Sequence, residues 1–185
     1  MPRLRKKYQE ELIPDLKKKF SLASSFEVPC IEKIVINMGI GEAIGDAKIL
    51  ESAMKDLSSI TGQRPVATRA KVAISNFKLR EDLAIGCKVT LRRERMYEFL
   101  DRLVSITLPR IRDFNGVSAT GFDAQGNYTF GLEDQSIFPE IDTGKLAYTY
   151  GMNISIVFNR GPKELTYEVL NKLGMPFAKK TIRKE

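Results

Sequence analysis

The chain has 185 residues, of which 43% are hydrophobic and 29% charged, and thirty bases against twenty-three acids leave a net charge of +7. That is enough chain to bury a core without metals or disulfides, and the basic excess points to a polyanionic partner. With no His and only two Cys, Cys30 and Cys87, Ser-His-Asp and Cys-His catalysis, His-containing metal sites, Cys-based structural zinc and a disulfide framework are excluded.

In chain order, residues 3–20 read as a basic amphipathic helix with Leu4, Tyr8, Leu12 and Leu16 at i, i+4 spacing. Pro14 is expected to kink or restart it, because Pro removes a backbone donor and crowds the preceding turn. Cys30–Met38 is β-branched and bounded by Pro29 and Gly39, which predicts a strand. Residues 46–60 place Ile49, Leu50, Ala53, Met54, Leu57 and Ile60 on one helical face, with Asp46 as N-cap and Gly62 as stop. Residues 64–68 predict a short strand whose Pro65 favours an edge. Ile85–Arg93 alternates cleanly and predicts a half-buried strand. Helical period returns over 94–108, followed by strands at Asn127–Leu132 and Met152–Asn159. A last helix opens at Gly161-Pro162 and closes at Gly174 and Pro176. This order predicts an α+β fold: a single, mainly antiparallel sheet with helices packed on one face and the other face open. Residues 1–178 are expected to form a single domain that includes the basic N-terminal helix, with 179–185 as a basic C-terminal tail.

No run of eighteen apolar residues is present, so no membrane span is expected. The basic start lacks a following apolar segment, so no secretory signal is expected and the cytosol is the default compartment. The charge is distributed in blocks. Residues 63–95 carry nine bases and three acids, whereas 96–159 carry four bases and eight acids. Such blocks are expected of a charged face rather than a uniform coat.

If the helices cover Ile34, Ile36, Met38, Cys87, Val89, Leu91, Ile154, Ile156 and Phe158, parity defines the opposite face. It carries Lys33, Val35, Asn37, Lys88, Thr90, Arg92, Asn153, Ser155 and Asn159. One reading is a solvated sheet face. The other is an RNA face, with Lys and Arg on phosphates and Asn, Thr and Ser on 2′-hydroxyls and base edges. No aromatic pair stands there to stack splayed bases, so recognition of folded RNA by shape is expected. Residues 69–84 form a long connection without clear periodicity, with Arg69, Lys71, Lys78 and Arg80 interleaved with Ile74, Phe77 and Leu79. It suits a second nucleic-acid contact, or else folds back to bury Phe77.

Other patterns carry less. Gly39–Gly45 has GxGxxxG spacing, one residue too long for a dinucleotide fingerprint, and reads as a strand-to-helix turn. A nucleotide-dependent enzyme built on it is the alternative to RNA binding. Glu133, Asp134, Glu140 and Asp142 surround Ile137-Phe138-Pro139 and read as an acidic protrusion for a basic protein partner, with solvated loop acids as the plain alternative. Cys30 and Cys87, both expected on strands, read as small hydrophobes. No cofactor or metal is called for.

Several segments in order carry a resemblance. Glu32–Gly39, Thr61–Val66, Phe77–Arg80, Lys88–Arg92, Arg95–Leu103, Leu108–Phe114, Gly126–Tyr128, Ile137–Ile141 and Gly151-Met152 resemble the large-subunit ribosomal protein five family, the bacterial 5S rRNA binders. The resemblance implies a non-enzymatic component of the large ribosomal subunit that helps attach 5S rRNA in the central protuberance, a monomer within the ribosome. The implied 5S rRNA set is Lys33, Asn37, Gln63, Arg64, Lys88, Thr90 and Arg92. Asn37 and Thr90 match contacting positions, and Gln63 and Arg64 lie beside the same surface. The resemblance further implies that Lys71, Asn76, Phe77, Lys78 and Arg80 belong to a loop reaching the P-site tRNA. Glu133, Asp134, Glu140 and Asp142 are implied to face a basic small-subunit head protein. Other rRNA and proteins of the central protuberance are implied neighbours. Two departures stand out: the family often has Gly where this chain has Arg93, and Asp82-Leu83 replaces a Gly-containing stretch, which is expected to stiffen the loop tip.

Overall fold

The computed structural model describes residues 1–145 and 148–178; the basic tail at 179–185 lies outside the described residues. Five strands form one sheet in the order β2-β3-β1-β5-β4, with β1 Ile31–Gly39, β2 Val66–Arg69, β3 Ala84–Leu91, β4 Tyr128–Leu132 and β5 Met152–Phe158. The α-helices are α1 Arg3–Lys7, α2 Ile13–Lys19, α3 Ala47–Thr61, α4 Arg93–Arg102 and α5 Lys163–Lys172. The fold is α+β with an antiparallel sheet, as the alternation of strand and helix periods predicts. The chain divides into two compact units: unit 1 comprises residues 1–33, 92–130 and 156 onward, and unit 2 comprises 34–91 and 131–155.

In unit 2, β1 pairs antiparallel with β3 and β3 with β2. Ile34, Ile36 and Met38 on β1, Cys87, Val89 and Leu91 on β3, and Met152 and Ile154 on β5 are all buried. The face assigned by parity to the core is therefore the core. Helix α3 contributes Ile49, Leu50, Ala53, Leu57 and Ile60 to the same interior. The Asp46 carboxylate accepts from the Lys48 amide at 2.8 Å. Gly62 ends the helix in the left-handed region at φ 65°, where a side chain is disfavoured. Gly86 is required by close approach: a Cβ there would lie 2.5 Å from the Met38 carbonyl oxygen and 2.9 Å from Thr68 Oγ1.

In unit 1, the N-terminal helix continues from α1 to α2 through one π-helical turn, Tyr8–Leu12. The wider turn lies just before Pro14, which sits in the first turn of α2, so the missing donor is absorbed without a break. The same device recurs after α4, where a π-helical turn at Leu103–Thr107 leads into a 3-10 turn containing Pro109. Arg3 pairs with Asp101, Nε donating to Oδ2 at 3.1 Å, and Lys19 pairs with Glu168 at 2.7 Å. Phe122, Tyr128, Tyr167 and Phe177 form an aromatic cluster with ring centroids 4.6–5.9 Å apart.

Both departures from the family pattern fall on left-handed backbone. Arg93 has φ 54° and Asp82 φ 67°. Cys87 lies inside β3, where burial pushes its thiol up to about 11. Cys30 precedes β1 rather than lying in it, because Pro29 delays the start of pairing and the Cys30 amide donates instead to the Asn159 side chain at 3.0 Å.

Candidate nucleic-acid interface

Residues directly opposite in an antiparallel pair project to the same face. In unit 2, Val66 of β2 stands opposite Lys88 of β3, and Lys88 opposite Asn37 of β1. The three form one row across three strands, with Val66 and Lys88 exposed and Asn37 half-buried. The next position pairs Thr90 with Val35, both half-buried. The row offers one mobile cation, one amide that both donates and accepts, and an apolar patch, as 62% of Val66 is exposed. These groups suit a phosphate, a ribose hydroxyl or base edge, and a sugar face.

Gln63 and Arg64 bridge α3 to β2. The Gln63 amide donates to the Thr90 carbonyl at 3.2 Å, and its backbone amide donates to Thr61 Oγ1 at 3.3 Å. Thr61, itself buried, donates to the Leu57 carbonyl at 2.7 Å. Gln63 is thus part of the scaffold under the face, whereas Arg64 is exposed. The structure brings together Asn37, Gln63, Arg64, Lys88 and Thr90 within unit 2. Val66 was missed by sequence reasoning, although its register follows once β2 and β3 are paired.

Lys33 and Arg92 belong to unit 1. Lys33 is half-buried on β1. Arg92, just past β3, is exposed and donates to Glu32 at 3.1 Å. Asn159 accepts from the Cys30 amide, so it pins backbone instead of facing solvent alone.

The connection between β2 and β3 is not the irregular loop its sequence predicts. It is a two-stranded arm. Ala70 donates to the Leu83 carbonyl at 2.9 Å and Asp82 to the Ala70 carbonyl at 3.0 Å. Further out, Ile74 and Leu79 exchange both backbone hydrogen bonds, at 2.9 and 3.0 Å. A 3-10 turn, Ser75–Phe77, and left-handed Lys78 close the tip. Lys71, Asn76, Phe77, Lys78 and Arg80 are all on this arm, and Phe77 does not fold back: 69% of it is accessible. Asp82 stands at the base of the arm, where Arg69 donates to its carbonyl at 2.8 Å. The expected stiffening of the tip is therefore corrected to an effect at the base.

The acidic segment of unit 2 is anchored through its apolar members, Phe138 and Ile141, which are buried. Asp134 caps a 3-10 turn, accepting from the Ser136 amide at 2.6 Å and its hydroxyl at 2.7 Å. Asp142 accepts from the Gly144 amide at 3.1 Å. Glu133 is exposed and Glu140 is exposed only in part. Two of the four acids thus hold turns. Beneath them the buried Gln135 donates to the Tyr148 carbonyl at 2.7 Å. Burial raises the Asp56 carboxyl above its usual range, against a hydrogen bond from Gln135. The buried Tyr150 hydroxyl is pushed up to about 12 by burial, with Tyr148, Glu42 and Asp56 adding to the effect.

A sheet face that presents one cation among neutral polar groups, on an α+β scaffold with a basic excess, has the chemistry of the nucleic-acid-binding class. Comparison with known sequences narrows it. The family model described as "Ribosomal protein L5" matches residues 24–80, and the model for the C-terminus of the same ribosomal family matches 84–177. "Large ribosomal subunit protein uL5" of Macrococcus caseolyticus is 53% identical over 97% of this chain and 100% of its own length. Proteins of the same name from Clostridium botulinum (54%) and Clostridium acetobutylicum (51%) align over 96% of this chain and 99% of their own. The chain belongs to the ribosomal protein L5 family, and is a structural ribosomal protein rather than an enzyme. No helix among the described residues is long and apolar enough to cross a membrane.

Proposed function

We propose that this protein is a structural component of the large ribosomal subunit that binds 5S rRNA and helps attach it in the central protuberance, working in the cytoplasm without a cofactor. The observation that carries the reading is the Val66–Lys88–Asn37 row, with Thr90, Gln63 and Arg64 beside it. Lys88 neutralises backbone charge and the neutral polar groups read ribose and base edges. Lys33 and Arg92 add cations. The arm bearing Lys71, Asn76, Phe77, Lys78 and Arg80 reaches the P-site tRNA, which its extended hairpin and exposed tip favour. Glu133 and Glu140, with Asp134 and Asp142 fixing the turns, face a basic protein of the small-subunit head. Other rRNA and proteins of the protuberance complete the partners, and the chain acts as a monomer there.

The test is titration of the purified protein with 5S rRNA and with an unrelated RNA duplex of equal length, across a salt series. Tighter binding to 5S rRNA, falling linearly in log affinity against log salt, is expected. Equal affinity for both RNAs would rule the assignment out.

A further inference from the structure

Helix α5 in unit 1 buries one stripe and leaves another open. Leu165, Val169 and Leu170 are buried. Glu164, Tyr167, Glu168 and Asn171, at i, i+3, i+4 and i+7, instead line a groove of about 960 Å³. Its aromatic members are Phe20, which is exposed, and Tyr167 and Phe177, which are half-buried. Glu168 is engaged by Lys19 at 2.7 Å. Glu164 is exposed and has no cationic partner among the described residues, and Lys163 stands exposed at the start of the helix.

The chain itself leads into this groove. Past the end of α5, left-handed Gly174, at φ 101°, turns the backbone. Phe177 then lays its ring against Tyr167, with centroids 4.6 Å apart. Ala178 is part of the groove lining, and its amide donates to the Val117 carbonyl at 2.9 Å. The return has thus moved back along α5 from Lys172 to Tyr167, and its direction is toward the first turn, where Glu164 stands. Residues 179–185 follow directly and carry four bases around one apolar residue, Ile182. Seven extended residues span at most about 25 Å, against about 15 Å for the ten residues of α5.

We propose that residues 179–185 dock in this groove of their own chain. Ile182 covers the rings of Tyr167 and Phe177. Lys180, which shares a face with Ile182 in an extended segment, pairs with Glu164, and its aliphatic stem lies over apolar surface. The segment is tethered at Ala178, so it meets the groove at an effective concentration on the order of millimolar. A separate peptide would lose translational freedom that the tethered segment has already given up. Docking needs no RNA, so the inference stands apart from the 5S rRNA reading.

The experiment digests the full chain, without RNA, with an arginine-specific protease and follows cleavage after Arg183 by mass spectrometry. A synthetic peptide of residues 175–185 gives the undocked rate, and each tail variant is compared with a peptide carrying the same substitution. Cleavage is expected to be about tenfold slower in the protein, because it tracks the undocked population. Ile182→Ser is expected to bring it to the rate of its peptide. Glu164→Lys and Lys180→Glu are each expected to raise it about two- to fivefold, the range of an exposed ion pair, and the two combined to restore protection. Cleavage after Arg80, on the arm of unit 2, is expected to stay the same throughout, which separates a released segment from a lost fold. Cleavage of the protein at the peptide rate, or protection that the charge reversals leave unchanged, would overturn the proposal. Protection that fades on dilution would make a second copy the occupant, and protection that arises only with 5S rRNA would make the segment an RNA contact; either result overturns it.

Discussion

The Gln63 side-chain amide donates to the main-chain carbonyl of Thr90 at 3.2 Å, tying the segment between α3 and β2 to the strand at the middle of the candidate interface. Arg64 and Val66 follow directly, so the position of both depends on this bond. Gln63→Ala is expected to cost about 1 kcal/mol, the usual net worth of one such hydrogen bond. It should also weaken 5S rRNA binding without altering its salt slope, since no cation is lost. Urea denaturation and filter binding together check this, and a lowered slope would show that Gln63 acts through charge.

Lys88 and Asn37 stand opposite each other yet should fail differently. Lys88→Ala removes a counterion-releasing contact and is expected to lower the slope by about one unit. Asn37→Ala removes a polar group that carries no charge, so affinity for 5S rRNA should fall while the slope and the affinity for unrelated duplex stay the same. A matched loss on both RNAs in the Asn37 variant would assign it a purely structural part.

Arg93 and Asp82 share left-handed backbone but not its consequences. Asp tolerates that region because its short side chain bonds locally, whereas Arg gains no such relief. Arg93→Gly is expected to stabilise the protein by about 1 kcal/mol, and Asp82→Gly by less. Chemical denaturation of the two variants against wild type gives the ranking; an Asp82 gain larger than the Arg93 gain would contradict it.

Gly86 supplies the opposite case. A methyl group there meets the Met38 carbonyl at 2.5 Å, and that carbonyl belongs to a paired strand that cannot move alone. Gly86→Ala is expected to destabilise by about 1–3 kcal/mol, as overpacking does. A melting temperature equal to wild type would mean that β1 and β3 can separate locally at no cost.

These contacts show which features a linear reading reaches. Strands β1, β3 and β5 announce themselves because one face is buried and alternation is forced; Ile34, Ile36, Val89 and Ile154 are enough to place them. Helix α3 is legible from its cap, its stripe and Gly62. The arm at 70–83 is not, because Val72, Ile74 and Phe77 are all exposed and its order comes from backbone hydrogen bonds that leave no side-chain period. Pro14 marks a disturbance in the first helix, but that it takes the form of a π-helical turn, as it does again before Pro109, is a backbone adjustment that the sequence does not spell out. Asn37, Lys88 and Thr90 follow from parity, and Val66 needs the register.

Asp56 links the acidic segment to pH. Its folded-state carboxyl titrates above the usual range because burial disfavours the anion, and the hydrogen bond from Gln135 offsets this only in part. A carboxyl raised on folding costs nothing below the unfolded value of about 4, where both states are protonated. Stability is then lost as pH rises through the folded value, because the unfolded chain ionises more readily. Asp56→Asn keeps an acceptor for Gln135 and removes the charge. The variant should melt close to wild type near pH 3.5 and above it at pH 7, with the gap opening between. The Tyr150 hydroxyl, held up to about 12 partly by Asp56, should titrate at lower pH in the variant, which absorbance at alkaline pH can follow. A melting gap constant from pH 3.5 to 7 would mean that Asp56 ionises equally in the folded and unfolded chain.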